Sequence, residues 1–432
     1  MTVSVLAIEP SGPVRGRVTP PGSKSYTNRA LLVAALARGT STLTNVLDAD
    51  DTRYMAQALL RLGLPVEADF AAGRCLVHGK GGEIPAREAD LYVGNAGTVM
   101  RFLTALVSLG HGRYRLDGDE RMRERPIGDL LRALATLGVK ASGEARDGEC
   151  PPVVIEAAGL AGGDAHLPGS VSSQFFSALL MVAPYARSRV TIHVEGPLVS
   201  SAYVDMTLAT MAAFGLSAER VENKRFLVPA GRYEPRQYEV EADASSASYF
   251  FAAAAITGGR VQVEGLDAHS LQGDVHFVDV LEEMGCAVRR GERFIEVTGG
   301  PLRGGTWDMS AMPDAVPTLG AVACFARGRT VVTHVGHLRY KETDRLRALA
   351  TELERLGAHV HETDDGLSLE PAPLQGAEVR TYGDHRMAMS LALVGLRVAG
   401  VRIQEPGCVS KSYPRFFEDL KQVATPASSS SR

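Results

Sequence analysis

The sequence is poor in the residues that mark several large function classes. Among 432 residues there are 5 cysteines, at positions 75, 150, 286, 324 and 408, with no Cys-x-x-Cys pair. An odd, dispersed set reads as reduced thiols and excludes a disulfide framework or a cysteine-built zinc site. His334 and His337, and His359 and His361, lie close in sequence but have no acidic or cysteine partners in a ligand pattern, so they read as surface or strand histidines and no metal is expected. There is no basic excess: 46 Lys+Arg stand against 50 Asp+Glu, a net charge of −4. That excludes a general nucleic-acid binder, which shows a basic domain or stripe. No apolar run reaches the roughly 18 residues of a membrane span. Residues 1–9 have neither the basic start and apolar core of a signal peptide nor the Arg/Ser-rich pattern of a transit peptide, so a cytoplasmic location is expected. No Walker A or GxGxxG pattern occurs, so no nucleotide cofactor is indicated. What remains, 45% hydrophobic and 22% charged, is an ordinary globular composition, long enough for two or three domains of about 150 residues. The tail 425–432, Thr-Pro-Ala-Ser-Ser-Ser-Ser-Arg, is expected to be disordered.

Self-similarity is the strongest positive feature. A helix-period stretch that opens on small polar or charged residues and continues apolar begins at Ser25, Gly97, Ser173, Ser246, Asp314 and His385, with spacings of 72, 76, 73, 68 and 71. Six copies of such a unit account for the chain. A second element keeps the same period: a bulky apolar residue followed by Gly at Leu62-Gly63, Leu137-Gly138, Phe214-Gly215, Met284-Gly285 and Leu356-Gly357. Glycine just past a helix end is the expected left-handed stop. Alternating apolar stretches at 152–156, 189–194 and 330–334 read as strands. The fold class is therefore α/β, with two helices and several short strands per unit. Breaks at Val18-Thr-Pro-Pro-Gly22 and Tyr233-Glu-Pro-Arg-Gln-Tyr-Glu239 divide the chain into two domains of three units. Residues 21–240 would be continuous, and residues 1–20 with 241–424 would form the other.

The six stretches have nearly all-apolar bodies, such as Phe250-Phe-Ala-Ala-Ala-Ala-Ile256. Such helices are buried, so their polar starts must emerge at a common place. Helix starts attract anions through free N–H groups and the macrodipole, although Ser, Asp and Asn there also serve as ordinary caps. Charged motifs favour the anion reading. Ser23-Lys-Ser-Tyr-Thr-Asn-Arg29 sets a Lys and an Arg around one helical turn. Asn95-Ala-Gly-Thr-Val-Met-Arg101 holds a Gly where backbone can approach a ligand. Arg121-Met-Arg-Glu-Arg125 packs three arginines together, and Ser170-Val-Ser-Ser-Gln174 supplies hydroxyl and amide donors. Arg339-Tyr-Lys-Glu-Thr-Asp-Arg345 alternates charges, Asp384-His-Arg386 repeats the theme, and Lys411 closes the set.

From Pro20 to Lys411 these strings resemble the enolpyruvyl transferase family, and within it the 5-enolpyruvylshikimate-3-phosphate synthases. The resemblance rests on Ser23-Lys24-Ser25, Asn95-Ala-Gly-Thr98, Ser172-Ser-Gln174, Lys341-Glu-Thr-Asp-Arg345 and Asp384-His-Arg386. It implies two domains of three repeats, each with buried helices in an inside-out α/β barrel, joined by a two-stranded crossover. It also implies transfer of the enolpyruvyl group of phosphoenolpyruvate to the 5-hydroxyl of shikimate 3-phosphate through a tetrahedral adduct, by a monomer without cofactor. Catalytic residues would be Lys24, Asp314 and Glu342, with Asp314 near the 5-hydroxyl and Glu342 moving a proton at C3; either carboxylate could also cap a helix. Shikimate 3-phosphate would contact Lys24, Ser25, Arg29, Ser172, Ser173, Gln174, Ser200, Asp314, His337 and Lys341. Phosphoenolpyruvate would contact Lys24, Asn95, Gly97, Arg125, Gln174, Arg345, Arg386 and Lys411. His337 stands where many members have Asn, and Phe102 where many glyphosate-sensitive members have Pro. A UDP-N-acetylglucosamine enolpyruvyl transferase shares the fold but carries a reactive loop cysteine that neither Cys75 nor Cys150 resembles. A non-catalytic anion-binding protein is the alternative from a different class.

Overall fold

A computed structural model describes residues 4–222 and 224–424; the tail expected to be disordered lies outside the described residues. The chain separates into two compact units, Gly22–Glu241 and the two flanking segments up to Pro21 and from Ala242 onward. Each has its own apolar core.

Within Gly22–Glu241 the helices come in pairs: α1 (Lys24–Leu36) with α2 (Asp50–Arg61), α3 (Gly97–Val107) with α4 (Gly128–Thr136), and α5 (Ser173–Val182) with α6 (Ala202–Ala213). The other unit repeats the plan with α7 (Ala244–Thr257) and α8 (Phe277–Glu283), α9 (Val316–Ala323) and α10 (Arg345–Arg355), and α11 (His385–Gly395) and α12 (Phe416–Val423). The first helix of each pair is buried nearly all round; every residue of α3, α7, α9 and α11 is inaccessible to solvent or nearly so. The second helix buries one side only, as in α2 and α10. This difference follows from composition, since α7 presents no charged residue on any face whereas α10 carries Arg347, Glu354 and Arg355 on its outer face.

Strands follow one scheme. An edge strand lies parallel to a central strand, which pairs antiparallel with the second strand of a hairpin; Glu88–Tyr92, His111–Asp117, Cys150–Ala158 and Lys140–Ala145 form one such sheet. Where the two parallel strands are consecutive in the chain the buried helix makes the crossover between them, as α3 does here, and the one-sided helix leads into the hairpin of each four-stranded sheet. Among the described residues five sheets have four strands, and the last has three: Val5–Ala7, Arg402–Gln404 and Glu378–Val379. Two edge strands come from distant parts of the chain. Gln237–Glu239 pairs with Arg38–Thr44, and Arg15–Val18 pairs with Arg260–Glu264.

Helix starts and stops fall close to their expected places, with two physical differences. Helices α1 and α7 start at Lys24 and Ala244 because Ser23 and Asp243 are the caps, accepting from the backbone N–H of Tyr26 and Ser246. The stretch at Asp314 opens as a 3-10 turn, Pro313–Ala315, before α9, whose first turn contains Pro317. Proline fits there because the first N–H groups of a helix have no intrahelical acceptor. All five expected stop glycines have positive φ: Gly63 +80°, Gly138 +87°, Gly215 +88°, Gly285 +113° and Gly357 +99°. At Gly285 a β-carbon would also lie 2.6 Å from the Pro301 carbonyl oxygen. Gly285→Ala is therefore expected to lower stability by about 1–3 kcal/mol, read as a lower urea midpoint at unchanged m-value.

Candidate functional site

In the Gly22–Glu241 unit the expected residues gather at the starts of α1, α3 and α5. Arg29 on α1 is fully buried, and its guanidinium donates to Thr207 Oγ1 (2.8 Å), Ser177 Oγ (3.1 Å) and the carbonyls of Ser25 (2.9 Å) and Tyr203 (2.9 Å). Every one of these acceptors is neutral, and no carboxylate among the described residues pairs with it. Burial pulls the Arg29 guanidinium down to about 10, which leaves it cationic at neutral pH. Its planar group sits 5.3 Å from the ring centre of Phe102 on α3, within cation–π range. The Phe102 ring thus packs beneath an expected substrate-binding cation, and α3 runs unbroken from Gly97.

Arg125 reaches back to the α3 entrance, donating through Nη1 to the Asn95 carbonyl (3.0 Å) and to Asn95 Oδ1 (2.9 Å). A β-carbon on Gly97 would lie 2.7 Å from Arg125 Cζ, so the missing side chain is what lets the guanidinium lie there. The residue at the cap of α3, Ala96, has no side-chain acceptor to offer. Gln174 on α5 donates to Thr98 Oγ1 at 3.3 Å, linking two helix starts, while Ser172 caps α5 and Ser173 is buried. Ser200 is buried with φ +53°, and its Oγ has no partner among the described residues. Lys24 Nζ lies 3.6 Å from Asp51. The buried charges of this unit are Arg29, Arg101, Arg125 and Asp51, a clear cationic excess.

The other unit holds a denser, paired network. Arg345, 1% exposed, donates through Nε to Asp384 Oδ2 (2.7 Å), through Nη1 to Asp314 Oδ1 (2.8 Å) and through Nη2 to Glu342 Oε2 (2.7 Å). Burial alone would lower its pKa, but Asp384, Glu342 and Asp314 outweigh burial and leave it raised. Arg386 Nη2 donates to the second oxygen of Asp314 at 2.7 Å. Lys411 Nζ approaches Glu342 Oε1 at 3.9 Å. Asp314 and Glu342 are therefore each held by two cations. The helix-capping alternative gives way to this arrangement: Asp314 lies inside the 3-10 turn, and Asp344, not Glu342, caps α10.

His337 departs from the surface-or-strand expectation. It lies in the 3-10 turn Gly336–Tyr340, its Nε2 is buried without a partner among the described residues, and burial, then the nearby Lys341, push its pKa down to about 4. His334, His359 and His361 do follow that expectation. All five cysteines are unpaired. Several partners had no motif to announce them. Asp384 appears in a motif only as the neighbour of Arg386, Asp51 meets Lys24 through the packing of α1 and α2 within one repeat, and Ser177, Tyr203 and Thr207 gain their contacts with Arg29 through helix packing across repeats.

A half-buried histidine kept neutral by its surroundings makes stability depend on pH. With its pKa near 4 in the folded chain and 6.5 in an unfolded one, His337 contributes no penalty above pH 6.5. As pH falls from about 6.5 to about 4 the unfolded chain binds the proton first, so stability drops, by at most about 3 kcal/mol from this group. His337→Asn is expected to flatten that part of the stability–pH curve, measured by urea unfolding at pH 4 to 7.

Comparison with known proteins extends this picture over the whole chain. The family model described as EPSP synthase (3-phosphoshikimate 1-carboxyvinyltransferase) matches residues 8–420. A 3-phosphoshikimate 1-carboxyvinyltransferase of Trichormus variabilis is 50% identical over 418 residues, covering 96% of this chain and 97% of that protein. One from Aeromonas salmonicida is 48% identical over 423 residues, 97% of this chain and 99% of the relative. The solved structure of EPSP synthase from Acinetobacter baumannii superposes with a TM-score of 0.81 at 28% identity, covering 98% of this chain and 99% of that one. The repeated α/β units, the helix-start motifs and these full-length matches lead to one conclusion: the chain belongs to the EPSP synthase family.

Proposed function

We propose that this chain transfers the enolpyruvyl group of phosphoenolpyruvate to the 5-hydroxyl of shikimate 3-phosphate, releasing phosphate. The observation that carries the reading is Arg29, a fully buried guanidinium whose acceptors are all neutral. A buried cation of this kind is costly unless an anion offsets it, and a phosphorylated, carboxylated substrate is such an anion. Ser25, Ser172, Ser173, Gln174 and Ser200 add neutral donors suited to phosphate and hydroxyl oxygens. Asn95, Gly97, Arg125 and Lys24 suit the second, smaller anion.

The carboxylates belong to the other unit. In the first step the 5-oxygen bonds to C2 of phosphoenolpyruvate, loses its proton to a base, and C3 gains a proton, giving a tetrahedral adduct. In the second, the C2–O bond to phosphate breaks and C3 returns a proton, restoring the vinyl group. Asp314 and Glu342 are the acid–base pair, with Asp314 taking the hydroxyl proton and Glu342 serving C3. Arg345 and Arg386 hold Asp314, and Lys411 stands beside Glu342. An incoming carboxylate or phosphate competes for the same cations, which couples substrate binding to release of the carboxylate oxygens. Lys341 and His337 complete the sugar-phosphate contacts. The protein acts as a cytoplasmic monomer on small molecules, without nucleic acid or membrane.

A UDP-N-acetylglucosamine enolpyruvyl transferase is not favoured, since burial pushes the Cys75 thiol up to about 11 and also raises that of Cys150. Such thiols are poor nucleophiles. A phosphate-release assay with both substrates tests the reading directly, and it separates an enzyme from a non-catalytic anion binder. Glu342→Gln and Asp314→Ala are expected to cut kcat and kcat/KM together by more than about 100-fold with little change in KM, the pattern of groups used in the transition state; near-parent turnover in either variant would remove that residue from the mechanism.

Glyphosate is expected to compete with phosphoenolpyruvate. In Gly97→Ala the new methyl presses on the Arg125 guanidinium, so both anions lose affinity. The longer inhibitor loses more, because overpacking commonly costs about 1–3 kcal/mol and the bulkier ligand has less room to adjust. The ratio of the inhibition constant to KM for phosphoenolpyruvate should therefore rise, measured at fixed shikimate 3-phosphate. An unchanged ratio would show that Gly97 does not line the inhibitor site.

A further inference from the structure

One buried carboxylate of the Asp314 network has no part in the scheme above. Asp274 closes the string Leu271-Gln-Gly-Asp274 and lies in a 3-10 turn, Gly273–His276, with 5% of its surface exposed. Its Oδ2 accepts from the hydroxyl of Ser245, in the first turn of α7. The same Ser245 oxygen accepts from Arg386 Nη2 at 3.3 Å, and that nitrogen also donates to Asp314 Oδ2 at 2.7 Å. Arg386 Nη1 donates to the Tyr249 hydroxyl at 3.4 Å. The donors and acceptors thus run in one direction, from guanidinium to hydroxyl to carboxylate.

We propose that Asp274 is a positioning residue for the enolpyruvyl transfer, which through the Ser245 hydroxyl orients the Arg386 guanidinium and with it the Asp314 carboxylate. The inference rests on the reading of Asp314 and Arg386 as parts of the reacting site. A serine hydroxyl has one proton to give and can turn to any acceptor. With Asp274 taking that proton, the Ser245 lone pairs are left to face Arg386. Without Asp274 the hydroxyl can turn elsewhere, and Arg386 loses one of the contacts that fix its plane.

Charge balance supports the same role. Among the described residues, ion pairs join the carboxylates Asp314, Glu342 and Asp384 to the cations Arg345, Arg386 and Lys411, and Asp274 adds a further carboxylate beside them. Asp274 is the carboxylate with no direct ion pair among the described residues, and its Oδ1 is buried without a hydrogen-bond partner there. Burial, then the Asp314 charge, push its pKa up to about 6; Arg386 and the Ser245 hydroxyl oppose this, and Asp243 at the α7 cap adds to it. The acids of α8 do not enter this balance: Asp279 and Glu282 bond to Arg290, and Glu283 to the Trp307 indole. Asp274 therefore changes charge about one pH unit below neutrality.

The test compares Asp274→Asn, Ser245→Ala and the double variant with the parent, in the full chain, by steady-state kinetics from pH 5 to 8. Thermal melts establish folding. Each single variant is expected to lower kcat on the order of tenfold, because a small loss of orientation at the reacting centre is expensive. The double variant should be no worse than the poorer single one, since both act through one chain of contacts. The kcat profile should also lose an ionisation near pH 6 in Asp274→Asn. Turnover within twofold of the parent in either single variant, or multiplicative losses in the double, would overturn the proposal. If Asp274→Asn does not fold, Ser245→Ala and its pH profile decide alone. Asp314→Asn is the control: an active Asp314→Asn defeats the reading of the site itself, whereas an inactive one beside an active Asp274→Asn defeats only this inference.

Discussion

Arg345 is buried beyond the reach of water, so its charge has to be neutralised by the protein around it. The idealised cost of bringing an unpaired ion into such surroundings is several kcal/mol even after relaxation. Three carboxylates from three different segments meet that requirement: Asp314 from the 3-10 turn before α9, Glu342 from the turn before α10, and Asp384 from the cap of α11. The guanidinium is a rigid fork whose donors point in fixed directions. Its three partners are consequently fixed too, and with them the relative positions of two adjacent repeats. The same atoms that hold the repeats in register present two carboxylates where proton transfer is proposed. Stability and chemistry cannot be separated at this residue.

The two units divide charge unequally. In Gly22–Glu241 the buried arginines outnumber the buried acids and lean on carbonyls, hydroxyls and an aromatic ring. In the other unit the buried acids outnumber the buried cations, and most of the carboxylates around Arg345 are paired with a guanidinium or ammonium group. A surplus of buried positive charge favours binding of an anion, whereas carboxylates held close together beside cations suit acid–base chemistry. One repeated architecture has thus been filled in two ways.

Much of the architecture was legible in the sequence because it repeats. A left-handed glycine after a helix is a local signal, and it recurs at Gly63, Gly138, Gly215, Gly285 and Gly357. The apolar bodies of α7 and α11 likewise announce burial without any knowledge of the fold. What local signals miss is partnership across repeats. Nothing near Arg29 in sequence points to Thr207 or Ser177, and nothing near Arg386 points to Ser245. His337 was misplaced for the same reason, since its burial comes from surroundings that an isolated HxxH spacing does not reveal. The opening of α9 as a 3-10 turn was also hidden, because a polar residue before an apolar run reads alike for both kinds of helix.

The edge strand Arg15–Val18 has a consequence for how the protein is made. Its partner, Arg260–Glu264, leaves the ribosome only after the whole Gly22–Glu241 unit has been synthesised. The early strand must therefore wait, with its pairing edge uncovered, while the intervening chain emerges. The strand Gln237–Glu239, by contrast, completes the first sheet of the inner unit just as synthesis of that unit ends. Vectorial synthesis thus favours an order in which the inner unit closes first and the N-terminal segment is captured later. A strand of only four residues, three of them exposed, suits that delay, because so short and polar an edge offers little to a wrong partner.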